Sequence, residues 1–194
     1  MSKSDPASKK DRFKNAKWVI TIFLITIIVS GVISFASDRI MAYSGMVTAF
    51  FILFGIVLVG ILFDVIGVAV TSADESPFHS MAARKVPGAQ EAIRLLRKAE
   101  RVSSICNDVI GDICGVVSGS AAATITVQLI QKFSFSWPTV ISLVMSALVA
   151  GFTVGGKAIG KGFAVNSSTK IVYFVGKMIY SLECIPNLFH KNKR

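Results

Sequence analysis

Four acidic or amide side chains stand inside, or at the mouth of, long apolar runs: Asp64, Asn107, Asp108 and Asp112. Placing a charge in a bilayer core costs at least about 2.5–3.5 kcal/mol on insertion scales, so such residues are default site candidates. Asp64 lies four residues after Gly60 and three before Gly67, a spacing that puts all three on one helix face with Thr71. The same periodicity groups Asp108 and Asp112 with Ser104, Gly111, Gly115 and Gly119. Carboxylates, carboxamides, hydroxyls and backbone carbonyls are hard oxygen ligands. They suit magnesium, which takes about six oxygens, several of them from water. The pattern predicts a polar pocket between helices, near the end that carries the basic residues.

Each of these residues also has a purely structural reading. Asp108 and Asp112 are acidic residues at a helix start, where the macrodipole favours them. Asp64 lies near the end of its run and can snorkel to the interface. The ridge Gly111, Gly115 and Gly119, and the pair Gly151 and Gly155, let helices approach closely and read as helix packing. His79 and His190 lie in polar surroundings without a nearby ligand set. Cys106, Cys114 and Cys184 form no CxxC pair, so neither a zinc site nor a disulfide framework is expected. They read as small apolar packing residues. No nucleophile–base arrangement appears, and residues 155–162 lack the spacing of a phosphate loop. That stretch reads as a flexible, closely packed end of a span. The chain is not expected to be an enzyme.

The elements that must position these residues follow from charge distribution. Of 194 residues 53% are hydrophobic and 16% charged, against about 25% charged in soluble domains. The mean hydropathy is +0.64. Charges crowd between uncharged runs long enough to cross a bilayer, which needs about 20 residues. The predicted fold is all-α: a polytopic helical membrane protein of about four transmembrane helices with juxtamembrane helices. Residues 1–17 read as a disordered basic tail. Residues 18–37 form a first span, longer than the roughly 7–15 apolar residues of a signal-peptide core and so read as retained. Further spans are expected at 46–71, 104–130 and 139–156. Between the second and third lies a helical hairpin, 76–103, with Pro77 as a first helical residue and Pro87-Gly88 as its break. A juxtamembrane helix is expected over about 165–185.

The net charge of +10 comes from lysine and arginine in the N-tail, the 72–104 segment and the C-terminal segment. The 37–45 and 131–138 loops hold one basic residue each, Arg39 and Lys132. Cytoplasmic loops carry such an excess, so a cell-membrane protein with both termini in the cytoplasm is expected. No nucleic-acid module is present, and membrane lipid is the expected partner for the charge.

The order of parts resembles a known family. A span ends in Phe63-Asp64-Val65-Ile66-Gly67-Val68-Ala69-Val70-Thr71-Ser72. A basic hairpin follows with Gly88-Ala89 and Leu95-Leu96, then Ala99-Glu100-Arg101 and a span opening Ile105-Cys106-Asn107-Asp108. The last span ends in Gly156-Lys157, then Lys161 and Ala164-Val165-Asn166. Residues 46–190 are similar to the transmembrane domain of the CorB/CorC and cyclin-M magnesium transporters. The resemblance implies a homodimer of helical bundles, each holding a dehydrated magnesium in a pocket open to the cytoplasm. Family ligands are serines ending the first matched span, asparagines opening the next, and a glycine–glutamate pair ending the last. Carried over, Asn107 matches an asparagine, Asp108 stands where a second often lies, Asp64 occupies a serine position, and Gly156 matches the glycine.

The departures define two readings. Lys157 stands where the family has glutamate, and Gly160 stands for a proline. The paired nucleotide-binding domains of the family do not follow, so no nucleotide is expected. In the first reading the chain transports magnesium or another divalent cation through Asp64, Asn107, Asp108 and Asp112. In the second, the Lys157 ammonium substitutes for the cation in an internal Asp–Lys pair. The protein is then a non-transporting dimeric scaffold or partner subunit.

Overall fold

The computed structural model describes residues 6–133 and 137–191, with side chains over 19–41, 43–133 and 137–183. Within these residues the chain is helical throughout, joined by short turns. Four segments are long and apolar enough to cross a membrane: Val19–Met41, Met46–Ser72, Ala99–Phe133 and Pro138–Asn166. The protein is an all-α, multi-pass helical membrane protein.

Helix α1 (Pro6–Tyr43) contains the first span and also residues 6–17. The expectation of a disordered tail is corrected there: once an apolar span is helical, continuing it needs no new nucleation. Gly45 in extended conformation starts α2 (Met46–Ser72), and an extended Ala73 ends it. Two short helices follow, α3 (Ser76–Ala83), with Pro77 in its first turn, and α4 (Ala89–Leu96). Gly88 introduces α4 at φ 86°, a left-handed conformation that glycine adopts without strain.

Helix α5 (Ala99–Ser104) runs into a wide π-type segment, Ile105–Gly111, which continues as α6 (Asp112–Phe133). Together these make one span of 35 residues. Helix α7 (Pro138–Asn166) passes straight through Gly155-Gly156-Lys157, ten residues beyond the span end that the charge pattern suggested. The flexible end expected over 155–162 is thus regular helix. Ser167 breaks the chain, and α8 (Ser168–Lys191) follows.

Helix α2 is the centre, packed against α5, the π segment, α6, α7 and α8. One buried cluster, at the hairpin end, joins Val65, Ala69 and Val70 to Phe78, Ala92, Ala164 and Val172. Fully burying Phe78 stabilises the hairpin by about 1.5–3 kcal/mol. The other cluster packs Met41, Ala49, Leu53, Ala121, Ala122 and Ile125 at the opposite end. Helix α1 joins the bundle near its C-terminal end, where Ser37 and Met41 are buried. There Ser120 Oγ donates to Asp38 Oδ1 (3.4 Å) and Gln128 Nε2 to the Met41 carbonyl (3.4 Å). Exposed Phe23, Ile28, Phe51, Leu143 and Phe152 form the apolar exterior that a lipid-facing surface requires.

Candidate functional site

Three elements bring polar groups together between the spans. Helix α2 supplies Asp64, which is 4% exposed. The π segment supplies Asn107, and α7 supplies Lys157. Lys157 Nζ lies 3.7 Å from Asp64 Oδ1. The same ammonium is 3.4 Å from where a Cβ on Gly111 would stand, so the bare backbone of Gly111 leaves it room.

Asn107 packs directly on α2. A Cβ on Gly67 would fall on the Asn107 carboxamide oxygen. Gly67 is one helical turn from Asp64, so Asn107 and Asp64 belong to one polar region. Asn107 Nδ2 donates to Ser103 Oγ (3.3 Å), which holds the carboxamide in place.

Two oxygens in this region are buried without a hydrogen-bond partner: Asp64 Oδ2 and Asn107 Oδ1. A buried polar atom left unpaired costs about 1–3 kcal/mol. Paired burial is the rule, so such atoms call for a bound species or a functional reason. Among the described residues no three His, Cys, Asp or Glu side chains converge. The oxygen set is therefore one carboxylate and one carboxamide, leaving the rest of a magnesium shell to water or backbone. Lys157 opposes a cation here: unit charges about 4 Å apart interact by roughly 4 kcal/mol at an effective dielectric of 20. A dication binding Asp64 has to displace the ammonium on its flexible stem.

Asp108 and Asp112 are elsewhere. Both are exposed in the single chain, and Asp108 Oδ2 accepts from Ser104 Oγ at 2.8 Å. Asp108 keeps its i,i+4 partner Ser104 within the wide segment, so the grouped face persists, but that face is exposed, while the neighbouring Asn107 turns to α2. Gly156 packs against the Ile61 side chain, so close that a Cβ would overlap it.

The glycine ridges divide unexpectedly. Gly115, Gly119, Gly151 and Gly155 have open space where a Cβ would go. The close glycine approaches between spans lie at Gly60 on Cys114, Gly67 on Asn107, Gly156 on Ile61 and Gly160 on Val65. Position after an acidic residue on one face signalled Gly67; no sequence pattern separated Gly160 from its neighbours. Glu91, in the first turn of α4, is buried at 8% exposure. His79 is exposed, 3.2 Å from Glu75 Oε1. Cys106 and Cys114 are free thiols. The side chains of Cys184 and His190 lie outside the described residues.

No protein-family model, no curated protein and no solved structure matches this chain.

Proposed function

We propose that this multi-pass membrane protein handles a divalent cation, magnesium by ligand chemistry, at the Asp64–Asn107 region. The observation that carries the reading is the pair of buried, unpartnered oxygens, Asp64 Oδ2 and Asn107 Oδ1. Hard oxygens from two helices are what a dehydrating dication seeks. Lys157 acts as a resident counter-ion that the cation displaces, so Asp64 stays charge-balanced between transport events. The resemblance to the CorB/CorC and cyclin-M transporters supports this reading and implies pairing of two copies. The excess of lysine and arginine at the hairpin end supports a site that opens to the cytoplasm.

A second reading has its own support: the Lys157–Asp64 contact of 3.7 Å. If the ammonium permanently replaces the cation, the protein is a scaffold or partner subunit that retains the fold without flux.

Magnesium flux into proteoliposomes holding a magnesium-sensitive dye separates the two. The transport reading expects wild-type flux that Asp64→Ala abolishes, Asn107→Ala reduces, and Asp108→Ala largely spares. Flux absent in the wild type but gained in Lys157→Glu identifies a site closed by its lysine. Flux absent in every variant sinks the transport reading.

A further inference from the structure

A groove of about 540 Å³ opens between α2 and α7. Its walls include Phe54 and Ile61 from α2 with Leu148, Phe152 and Ile159 from α7, and every lining residue is apolar or glycine. The volume falls within the roughly 300–1,000 Å³ of ligand-binding cavities. Both walls are membrane spans, so the groove lies at hydrocarbon depth. Along α7 it extends from Met145 to Ile159, a rise of about 21 Å at 1.5 Å per residue. Half of a bilayer core is about 15 Å. The groove is therefore long enough for one acyl chain.

Charge selects the headgroup. Between Asp112 and Glu183 the chain has no acidic residue, yet it carries Lys132, Lys157, Lys161, Lys170 and Lys177. Lys157 is engaged with Asp64. Lys161 follows Ile159 by two residues, Lys170 stands in the first turn of α8, and both are exposed. We infer that this groove binds one acyl chain of an anionic phospholipid, whose phosphate is held by Lys161 and Lys170. The lined seam includes Gly156 on Ile61, with Lys157 next along α7 and Asp64 one turn further along α2. Lipid in the groove thus braces the helix pair that carries the ion pair. The inference stands apart from the transport reading, because it needs neither Asp64 nor flux.

Native mass spectrometry of the full chain, titrated with dioleoyl phosphatidylglycerol or dioleoyl phosphatidylcholine, tests it. One phosphatidylglycerol is expected to bind per chain in preference to phosphatidylcholine. Gly155→Leu, which adds a side chain where there is open space, is expected to lose that lipid; Gly31→Leu, equally open but outside the groove, is expected to keep it. Lys161→Gln with Lys170→Gln is expected to erode the preference by about fivefold per lysine. Equal binding of the two lipids overturns the headgroup assignment. Unchanged phosphatidylglycerol binding in Gly155→Leu overturns the groove. A wild type that binds no lipid but forms a dimer lost in Gly155→Leu identifies the groove as a seam between copies and overturns the inference. The lipid comparison on the wild type and the exposed lysine variants decide the matter even if Gly155→Leu fails to fold.

Discussion

The ammonium of Lys157 stands beside Asp64 without hydrogen-bonding its buried Oδ2. It lies 3.7 Å from Oδ1, an ion-pair distance beyond ordinary hydrogen-bond reach, while Oδ2 is buried with no partner. The charge of Asp64 is thus balanced but its lone pairs are not. A closed structural ion pair normally satisfies both, because desolvation is repaid only when geometry is good and remaining acceptors are bonded. Here ligand capacity is left over.

Replacing Lys157 by methionine leaves Asp64 buried without its counter-charge. Breaking a fully buried pair costs about 3–5 kcal/mol. The lysine side chain is 23% exposed, so a loss nearer 2 kcal/mol is expected for this pair. The double change Asp64→Leu with Lys157→Met removes both charges and is expected to recover most of that loss. Thermal unfolding of the four proteins in one detergent gives the coupling. Strictly additive effects would show that the two groups do not depend on one another.

Gly67→Ala is expected to damage the site, and Gly119→Ala is not. A Cβ at position 67 meets the Asn107 carboxamide, whereas position 119 has open space. Alanine at 119 gains up to about 1 kcal/mol of helix propensity. At 67 Asn107 has to move away, with loss of its bond to Ser103. Melting temperatures should fall for the first variant and hold or rise for the second. Equal behaviour would mean that Asn107 does not pack on α2.

The membrane class, the spans at the centre of the chain and the hairpin were legible because bilayer burial writes itself as uncharged runs. Asp64 was legible for the same reason, a charge where charges are costly. What escaped was which face of the third span meets α2. Ser104 and Asp108 do share a face, joined by a 2.8 Å hydrogen bond, but that face is exposed and Asn107 packs on α2. Side-chain periodicity groups residues by face without saying which face meets a neighbour, so Asn107 could not be preferred to Asp108. Glycine is ambiguous in the same way. Gly151 and Gly155 repeat at the spacing of a packing ridge, yet Gly156 and Gly160 make the close contacts to α2. Which ridge meets a neighbour depends on crossing geometry, a tertiary property. The end of α7 was misjudged because lysines suggested an interface, while the helix simply continues into it.

The hairpin meets α8 tightly where Gly88 faces Gly176 and Lys177. Gly88 has φ 86°, and a Cβ there would meet the Lys177 backbone nitrogen at 2.7 Å. On the other side, a Cβ at Gly176 would meet the Gly88 carbonyl oxygen at 2.6 Å. Gly88→Ala combines a left-handed backbone with a backbone clash, and more than about 1 kcal/mol of local stability should be lost. Hydrogen exchange should quicken in residues 89–96 and 171–180 while the span residues of α2 stay protected. Unchanged exchange at both helices would show that the contact does not hold them.

Surface charge contributes far less. Arg97 Nε donates to Glu75 Oε1 at 3.2 Å, tying α4 back to the start of α3, but both side chains are exposed. Exposed pairs are worth about 0–1 kcal/mol and weaken with salt. Arg97→Ala should therefore shift the melting point only slightly, and the shift should vanish at high ionic strength. A large, salt-independent loss would reveal a packing role for the arginine stem.

The arrangement of cations predicts an orientation, and labelling tests it. Residues 84–101 carry Arg84, Lys85, Arg94, Arg97, Lys98 and Arg101, against Lys132 alone in the last turn of α6. Lysine and arginine are retained on the cytoplasmic side. In a chain with Cys106, Cys114 and Cys184 replaced by serine, single cysteines at Ser80 and Trp137 report the two sides. Both positions are exposed, Ser80 in α3 after the second span and Trp137 immediately before α7, at opposite ends of the bundle. A membrane-impermeant maleimide added to intact cells should label Trp137→Cys and spare Ser80→Cys; permeabilised cells should yield both. The reverse pattern would turn the molecule over, place the Asp64 region toward the outer face and overturn the proposed cytoplasmic opening.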